Sequence, residues 1–327
     1  MPSEPTRGTG SASTSVINAD RPRLWRADIT ISDARFTDWL SHGGRRAYMT
    51  ARDSVRQEVS EMLRLTDHLR VVTPEVLRPD PALVATLRMC TAPALARDRL
   101  AGLAQARKPF VAALEQGRLP TSASAAELDA QLGRICRVLR NLWDRQLLPW
   151  LVRDCGPTDL ERQMASVVVA DRRCIAVSDL ILRQAHKRSQ TEQLVRWLTE
   201  HGYRQQAVGE GCVESMPQGT FAIDQPVVAG SHTPVLLTLD AVVQPHSSRG
   251  QQAPVFLDWT SLADASAAKL AKEATRLRLL KETFGGETAV LSILVGSFDK
   301  QYLDARATRN LDWIWEHRLD DLGAAGV

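Results

Sequence analysis

Two short apolar segments decide the fold: VLLTLDAVV at residues 235–243 and PVFLDWTS at residues 254–261. Each has the length of one strand and is rich in β-branched and large apolar residues, and a stretch of Pro, Ser, Gly and Gln separates the two. Such a pattern predicts two neighbouring β-strands. Each segment also carries one acidic residue in an otherwise apolar run, Asp240 in the first and Asp258 in the second.

The segments around this pair indicate more strands and two helices. Residues 203–208, 220–227 and 288–295 have strand length and composition. Residues 190–201 and 265–284 have helical spacing, and Gly202 stands where a helix commonly ends. The second half of the chain is therefore predicted to run helix, four strands, helix, strand.

The first half is predicted to be helical. Residues 32–69 indicate two helices, which Gly43 and Gly44 interrupt. Thr73 and Pro74 have the order of an N-cap followed by proline in the first helical position. Between residues 124 and 150 five apolar residues repeat at helical spacing, which places them on one face of a long helix. They are Leu128, Leu132, Ile135, Leu139 and Leu142.

Composition excludes several classes of protein. The 327 residues are 44% hydrophobic and 24% charged, as in a globular protein rather than a disordered or fibrous one. Five cysteines form no C-x-x-C pair, so neither a zinc ribbon nor a secreted disulfide framework is supported, and a reduced cytoplasm fits best. No uncharged apolar run approaches the roughly 18 residues of a membrane span. Basic residues exceed acidic ones only in the first half, which permits binding to a polyanion.

Asp240 and Asp258 are the candidate chemical groups. Burying a carboxylate costs free energy unless a cation or hydrogen bonds meet it. Carboxylates on neighbouring strands suit Mg²⁺, which takes one or two of them together with water and phosphate oxygens. The alternative is that each aspartate only ends its strand or caps a loop. Strand alternation places Asp258 on the same face of its strand as Phe256 and Thr260.

The pair resembles the PD-(D/E)-x-K nuclease core, in which acidic residues on two adjacent strands hold the metal. In that core a lysine two residues after the second acid contacts the attacking water or the scissile phosphate. The corresponding residue here is Thr260, which carries no charge. That position is the main departure from the pattern.

A wider resemblance covers residues 18 to 322. Five blocks, in order, are similar to those of the XamI-type family of type II restriction endonucleases: INADRPRLWRADI (17–29), TPEVLRPDP (73–81), LRMCTAPALARDRLAGLA (87–104), SFDKQYLDA (297–305) and LDWIWEHRLDDL (311–322). The resemblance implies Mg²⁺-dependent cleavage of double-stranded DNA at a short specific sequence, by a homodimer paired with a protecting methyltransferase. A helical interaction protein unrelated to DNA would require all five blocks to be coincidental.

The resemblance also assigns residues. It implies that Asp240, Asp258 and the backbone carbonyl of Trp259 hold the metal. Lys269, or Lys272 beside it, could supply the missing lysine from the following helix. Glu192, with Glu200 as the other choice on the helix before the strands, is the candidate third acidic group. Either activity survives with a migrated or dispensable lysine, or the protein is a catalytically lapsed relative that still binds DNA in a sequence-specific way.

The densest basic stretch inside these blocks is the candidate DNA contact. Its members could bind phosphates, although a solvated helix face would look the same in sequence. They are Arg88, Arg97, Arg99, Arg107 and Lys108.

The predicted fold class is α+β with an α/β nuclease core, in which a helical N-terminal region precedes a restriction-endonuclease-like mixed sheet flanked by helices. The predicted divisions are a flexible tail at 1–17, a helical region for grasping DNA and dimerising at 18–185, a PD-(D/E)-x-K-like nuclease domain at 186–322, and a short tail at 323–327.

Overall fold

A computed structural model describes residues 16–120, 124–206, 213–231, 233–246, 253–261 and 266–327. The chain divides into two compact units. One, the helical unit, comprises residues 44–184, and the other, the sheet unit, comprises residues 1–43 and 185–327.

The helical unit is built from short and medium helices around one apolar core. They are α2 (Arg45–Leu65), α3 (Pro74–Leu77), α4 (Leu83–Leu87), α5 (Arg97–Leu103), α6 (Lys108–Glu115), α7 (Ala125–Asn141) and α8 (Asp159–Ile175). Ser124 and Glu127 form a capping box that starts α7 by accepting backbone N–H groups that have no partner within the helix. The predicted apolar face of this helix is confirmed, because Leu132, Ile135 and Leu139 are fully buried.

The helices of the sheet unit are α1 (Pro22–Trp39), most of α9 (Ser178–Glu200), α10 (Ala267–Phe284) and α11 (Lys300–Ala307). A π-helical turn at Leu40–Gly44 lies between α1 and α2, where the glycine pair predicted a break. A helix was predicted at residues 190–201, and the helix in the structure begins earlier, at Ser178. It ends at Glu200, and Gly202, two residues further on, has a φ of 86° that is readily available only to glycine.

In the described part of the chain one mixed sheet forms, with the strands in sequence order. The strands are β1 (Arg204–Gln205), β2 (Thr220–Ala229), β3 (Val235–Gln244), β4 (Val255–Ser261), β5 (Ala289–Val295) and β6 (Trp313–Trp315). Strand β3 is antiparallel to both β2 and β4, whereas β1 is parallel to β2, and β4, β5 and β6 are mutually parallel. Residues 207 and 208 of the first predicted strand lie outside the described residues.

Helices cover both faces of the sheet. On one face Leu194 and Leu198 of α9 pack in the same apolar cluster as Leu257 of β4. On the other face Phe256 packs in the same cluster as Leu280 of α10. Neighbouring residues of β4 thus enter opposite clusters, as strand alternation requires. The predicted α+β nuclease-like class is confirmed.

The N-terminal segment packs on the sheet and belongs to the sheet unit. The backbone nitrogen of Asn18 donates to Asp312 at 3.0 Å, and the rings of Trp25 and Trp313 lie 5.5 Å apart. Residues 16–43 therefore belong with the sheet, although the sequence grouped residues from 18 onward with the helical region. The reason is tertiary, since the partners of this segment lie almost 300 residues away.

Both predicted tails reach the folded core in part. Ile17 is buried, while residues 1–15 lie outside the described residues. At the other end a 3₁₀-helical segment spans Glu316–Ala325, and Val327 packs against the cluster on the α9 face of the sheet. No helix among the described residues combines the length and apolarity needed to cross a membrane.

Candidate active site

The two predicted aspartates face each other where strands β3 and β4 separate. The last backbone pair of this ladder joins Ala241 to Leu257, so the next residues along are Asp240 and Asp258. At this point the aspartate carboxylates, instead of backbone carbonyl groups, accept the hydrogen bonds between the strands. The backbone nitrogen of Asp240 donates to Oδ1 of Asp258 at 3.2 Å, and that of Trp259 donates to Oδ2 of Asp240 at 2.8 Å. The carboxylates are therefore held together by the backbone of the two strands.

A lysine from helix α9 meets the first carboxylate. Nζ of Lys187 lies 2.7 Å from Oδ1 of Asp240 and 2.8 Å from Oδ1 of Asp224 on strand β2. Partial burial works against the charge of this ammonium, but hydrogen bonds and charges from both aspartates outweigh it and raise the pKa of Lys187 above its ordinary value. The lysine is 47% exposed, so it stands at the surface of the site.

Asp224 adopts an unusual backbone conformation. Its φ is 49°, inside a strand whose neighbours Ile223 and Gln225 pair with Ala241 and Leu239. This register puts Asp224 across from Asp240. Two like charges at such a cross-strand position repel each other. The ammonium of Lys187, which bridges them, offsets that repulsion.

Helix α10 supplies a cation to the second carboxylate. The guanidinium of Arg276 is ion-paired with Oδ2 of Asp258 and also donates to the carbonyl oxygen of Thr238 at 3.1 Å. Burial raises the pKa of Asp258 to about 6, with a further rise from Asp240 and an opposing effect of Arg276. The site thus holds three carboxylates, those of residues 224, 240 and 258, against two cations.

Thr260, at the position of the missing lysine, faces away from solvent. Its side chain is buried, and Oγ1 donates to Oε1 of Glu273 on α10 at 3.4 Å. The other oxygen of Glu273 lies 2.6 Å from NH1 of Arg306, a fully buried arginine of α11. Arg306 also donates to Oγ of Ser292 at 2.6 Å. Position 260 therefore borders a buried ion pair.

The lysines named from sequence line a neighbouring cleft. Lys269 and Lys272 border a cavity of about 560 Å³ together with Glu273 and Arg276. Neither lysine forms an ion pair with any residue that the structure describes, whereas Arg276 connects this cleft to Asp258.

Glu192 lies away from this arrangement. It is exposed, and its side chain makes no hydrogen bond or ion pair with the described residues. Because successive helical residues are turned by about 100°, Glu192 points about 140° around α9 from Lys187. Glu200 is exposed on the same helix, a similar angle away on the other side.

The basic residues named as DNA contacts lie in the helical unit and differ in environment. Arg88 is buried, with Nε 2.6 Å from Glu115, and the same carboxylate lies 2.6 Å from Nε of Arg97. Lys108 forms an exposed pair with Asp98 at 2.7 Å. Arg99 and Arg107 are exposed and form no ion pair with any described residue.

Sequence reasoning missed Lys187, Asp224 and Arg276 in this site. One signal was present: Asp224 is a third aspartate inside an apolar strand, TFAIDQPVVA. Lys187 is one of only six lysines in the chain, but nothing in its neighbourhood distinguishes it. Its role depends on where α9 packs, which local sequence does not specify.

The described residues supply only some of the ligands that Mg²⁺ needs. Among the described residues no cluster of three or more His, Cys, Asp or Glu side chains is arranged to hold a metal. A cation here would rely on Asp240 and Asp258, with water and phosphate completing its shell, which is the coordination typical of Mg²⁺. The raised pKa of Asp258 reflects an unfavourable negative charge that a cation would relieve.

A mixed sheet flanked by helices, with paired carboxylates where two strands separate, is the architecture of a restriction-endonuclease-like nuclease. The family model of the XamI restriction endonucleases matches residues 67–315, which is more than half of the chain. This chain belongs to that family, and the family predicted from sequence is confirmed.

A named relative is the type II restriction enzyme SalI of Streptomyces albus G. It is 37% identical to this chain over 315 residues, which cover 95% of this chain and 100% of that enzyme. No solved structure matches this chain. The family and this relative together support a restriction endonuclease function.

Proposed function

We propose that this protein is an active type II restriction endonuclease that hydrolyses double-stranded DNA at a short specific sequence and depends on Mg²⁺. The observation that carries the proposal is the pairing of Asp240 with Asp258, each of which accepts a backbone N–H from the opposite strand. This reciprocal contact fixes two partly buried carboxylates side by side, where DNA could approach them.

Asp240, Asp258 and the backbone carbonyl of Trp259 are the proposed metal ligands. Mg²⁺ bound there would activate a water molecule and neutralise charge on the phosphate. Lys187 and Arg276, the two cations that are paired with these carboxylates, each have a second partner. Lys187 could release Asp240 and keep Asp224, and Arg276 could loosen its contact with Asp258 and keep the carbonyl of Thr238.

The reaction is an in-line displacement at phosphorus. The oxygen of water forms a new bond to phosphorus while the bond to the opposite sugar oxygen breaks, and the electron pair of that bond leaves with the sugar oxygen. The attacking water loses a proton to solvent, and the leaving oxygen gains one. The protein's part is to hold the reacting groups in line, because positioning and electrostatic stabilisation supply most of the acceleration in such reactions.

Basic side chains next to the carboxylates support binding of a polyanion. Lys269, Lys272 and Arg276 line one cleft, and the acidic residue among them, Glu273, is already paired with Arg306. In the helical unit, Arg99 and Arg107 remain the proposed phosphate contacts because both are exposed. We further propose a homodimer in the cytoplasm and a partner methyltransferase that protects the host DNA.

Cleavage of unmethylated phage-sized DNA in Mg²⁺ tests the proposal. Wild type should give discrete fragments, and Asp240→Asn should give none while retaining its affinity for DNA. Asp304→Asn, which changes an exposed aspartate of α11, is the matched control and should cut like wild type. Full cleavage by Asp240→Asn would refute the assignment of the site.

Thr260 motivates a second candidate function, a lapsed relative that binds a specific sequence without cutting it. Its buried side chain brings no charge to the phosphate. Selective retention of DNA fragments by wild type, with no nicking in Mg²⁺ or Mn²⁺, would favour this alternative.

A further inference from the structure

We propose that Lys187 on helix α9 supplies the active-site ammonium that position 260 lacks, and that Asp224 holds it in place. The inference rests on the proposed nuclease function. It assigns a catalytic role to a lysine that lies 71 residues before the acidic residue of β4 in the chain.

The first support is the position of Lys187. Its ammonium lies 2.7 Å from a carboxylate oxygen of Asp240, which places a positive charge directly beside the paired aspartates. The side chain is about half exposed, so a phosphate that reaches those carboxylates also comes within reach of the ammonium.

The second support is that, among the described residues, the cation beside Thr260 cannot take the role of the missing lysine. The space around its side chain is occupied by Glu273, whose charge is balanced by Arg306. Arg306 itself is fully buried and bonded to Ser292, so it cannot contact a phosphate.

The third support is a comparison with the other lysines near the site. Lys269 and Lys272 lie on the opposite helix, and the structure shows no ion pair between either of them and a described residue. Lys187, by contrast, directly contacts Asp240, one of the two paired carboxylates. It therefore fits the role better than the two lysines suggested by sequence.

The backbone of Asp224 supports its role as a holder. A non-glycine residue at φ 49° within a strand carries a conformational cost, and such costs concentrate at functional sites. The cost is accompanied by a contact, since Oδ1 of Asp224 lies 2.8 Å from Nζ of Lys187. Asp224 would therefore hold the ammonium of Lys187 in place when Asp240 binds the metal.

The ammonium would act electrostatically. As the attacking oxygen and the leaving oxygen exchange at phosphorus, negative charge is distributed over the remaining phosphate oxygens. A cation fixed beside them stabilises that charge without transferring a proton. Its contribution should appear in the rate of the chemical step rather than in the affinity for DNA.

The test compares four variants of the full-length protein with wild type: Lys187→Gln, Lys187→Arg, Asp224→Asn and the matched control Lys300→Gln. Lys300 is an exposed lysine on α11 and makes no ion pair with the described residues. Two quantities are measured on a DNA fragment that wild type cuts: the single-turnover cleavage rate in Mg²⁺ and the dissociation constant without metal. Circular dichroism melting confirms that each variant is folded.

Lys187→Gln should cut roughly 100-fold or more slowly, the usual loss when one group that stabilises a transition-state charge is removed. Its dissociation constant should stay within about threefold of wild type, because one lost phosphate contact weakens binding only modestly. Lys187→Arg, which keeps the charge, should be faster than Lys187→Gln, and Asp224→Asn should be slowed with unchanged affinity. Lys300→Gln should match wild type.

The inference is overturned if Lys187→Gln cuts within threefold of wild type, or if its slower cutting is matched by an equal loss of affinity. A fifth variant in the same assay, Asp240→Asn, separates this result from failure of the proposed function. If wild type itself does not cut, the nuclease proposal fails. If wild type and Lys187→Gln cut while Asp240→Asn does not, only the assignment of Lys187 is wrong.

Discussion

The carboxylate of Glu273 lies 2.6 Å from the guanidinium of Arg306, and it also accepts the hydroxyl of Thr260 at 3.4 Å. Position 260, where the resemblance to the PD-(D/E)-x-K core leads one to expect a lysine, is therefore part of a buried ion-pair network. The cation of that network comes from helix α11, far along the chain. This explains how the strand can carry a threonine there and leave no buried charge unpaired.

Thr260→Lys should destabilise the protein and leave it no more active. The new ammonium would enter a buried space beside Arg306, where two cations would compete for Glu273. Burying an unpaired charge costs several kcal/mol. Urea unfolding should show this loss, whereas Thr260→Val should lose only about 1 kcal/mol because it gives up one weak hydrogen bond. Faster cleavage by a stable Thr260→Lys protein would contradict this account of the site.

Arg306→Ala should lower the free energy of unfolding by about 3 to 5 kcal/mol, because it leaves Glu273 buried without its partner. Arg309→Ala, an exposed change on the adjoining turn, should shift it by no more than about 0.5 kcal/mol. Chemical denaturation of both variants measures the difference. Equal effects would show that the buried pair contributes little to stability.

Asp258 should titrate near pH 6 in metal-free protein, because burial raises its pKa from an ordinary 3.8 to about 6. The folded state then binds the proton more tightly than the unfolded state. The free energy of unfolding should therefore fall as pH rises from about 4 to about 6. Above about pH 6 the ionisation of Asp258 should cause no further fall. The loss should be on the order of 2 to 3 kcal/mol.

Carbon-13 NMR of the aspartate carboxyl groups, in the presence of a chelator, measures this titration directly. Asp258→Asn identifies the signal by its disappearance, and it should also remove this component of the pH dependence of unfolding. A carboxyl signal of Asp258 that titrates near pH 4 would contradict the prediction.

Arg88 and Arg99 should respond differently to substitution although they lie close together in sequence. Arg88→Ala breaks the buried pair with Glu115 and should cost about 3 kcal/mol of stability. Arg99→Ala should leave stability unchanged, weaken DNA binding at all sequences and reduce the salt slope of binding by about 1. Binding titrations over a series of salt concentrations, with thermal melts, distinguish the two outcomes. An unchanged salt slope for Arg99→Ala would show that Arg99 does not belong to the proposed DNA-binding surface.

Local sequence was enough to predict most of the elements near the site. The alternating and β-branched runs predicted strands β2 to β5, and Gly202 marked the end of the helix that precedes them. These features depend on interactions within a few residues. The aspartates of β3 and β4 were identified for the same reason, because a carboxylate stands out within an apolar strand.

The sequence by itself thus determined the strand pair, the two aspartates and the family. Tertiary structure decided which cations meet those aspartates: Lys187 arrives from a helix on one face of the sheet and Arg276 from a helix on the other. It also placed residues 16–43 on the sheet unit and turned Arg88 and Thr260 inward. The physical reason is that strand and helix periodicity specify which residues share a face, whereas the partner opposite that face is set by packing between segments distant in the chain.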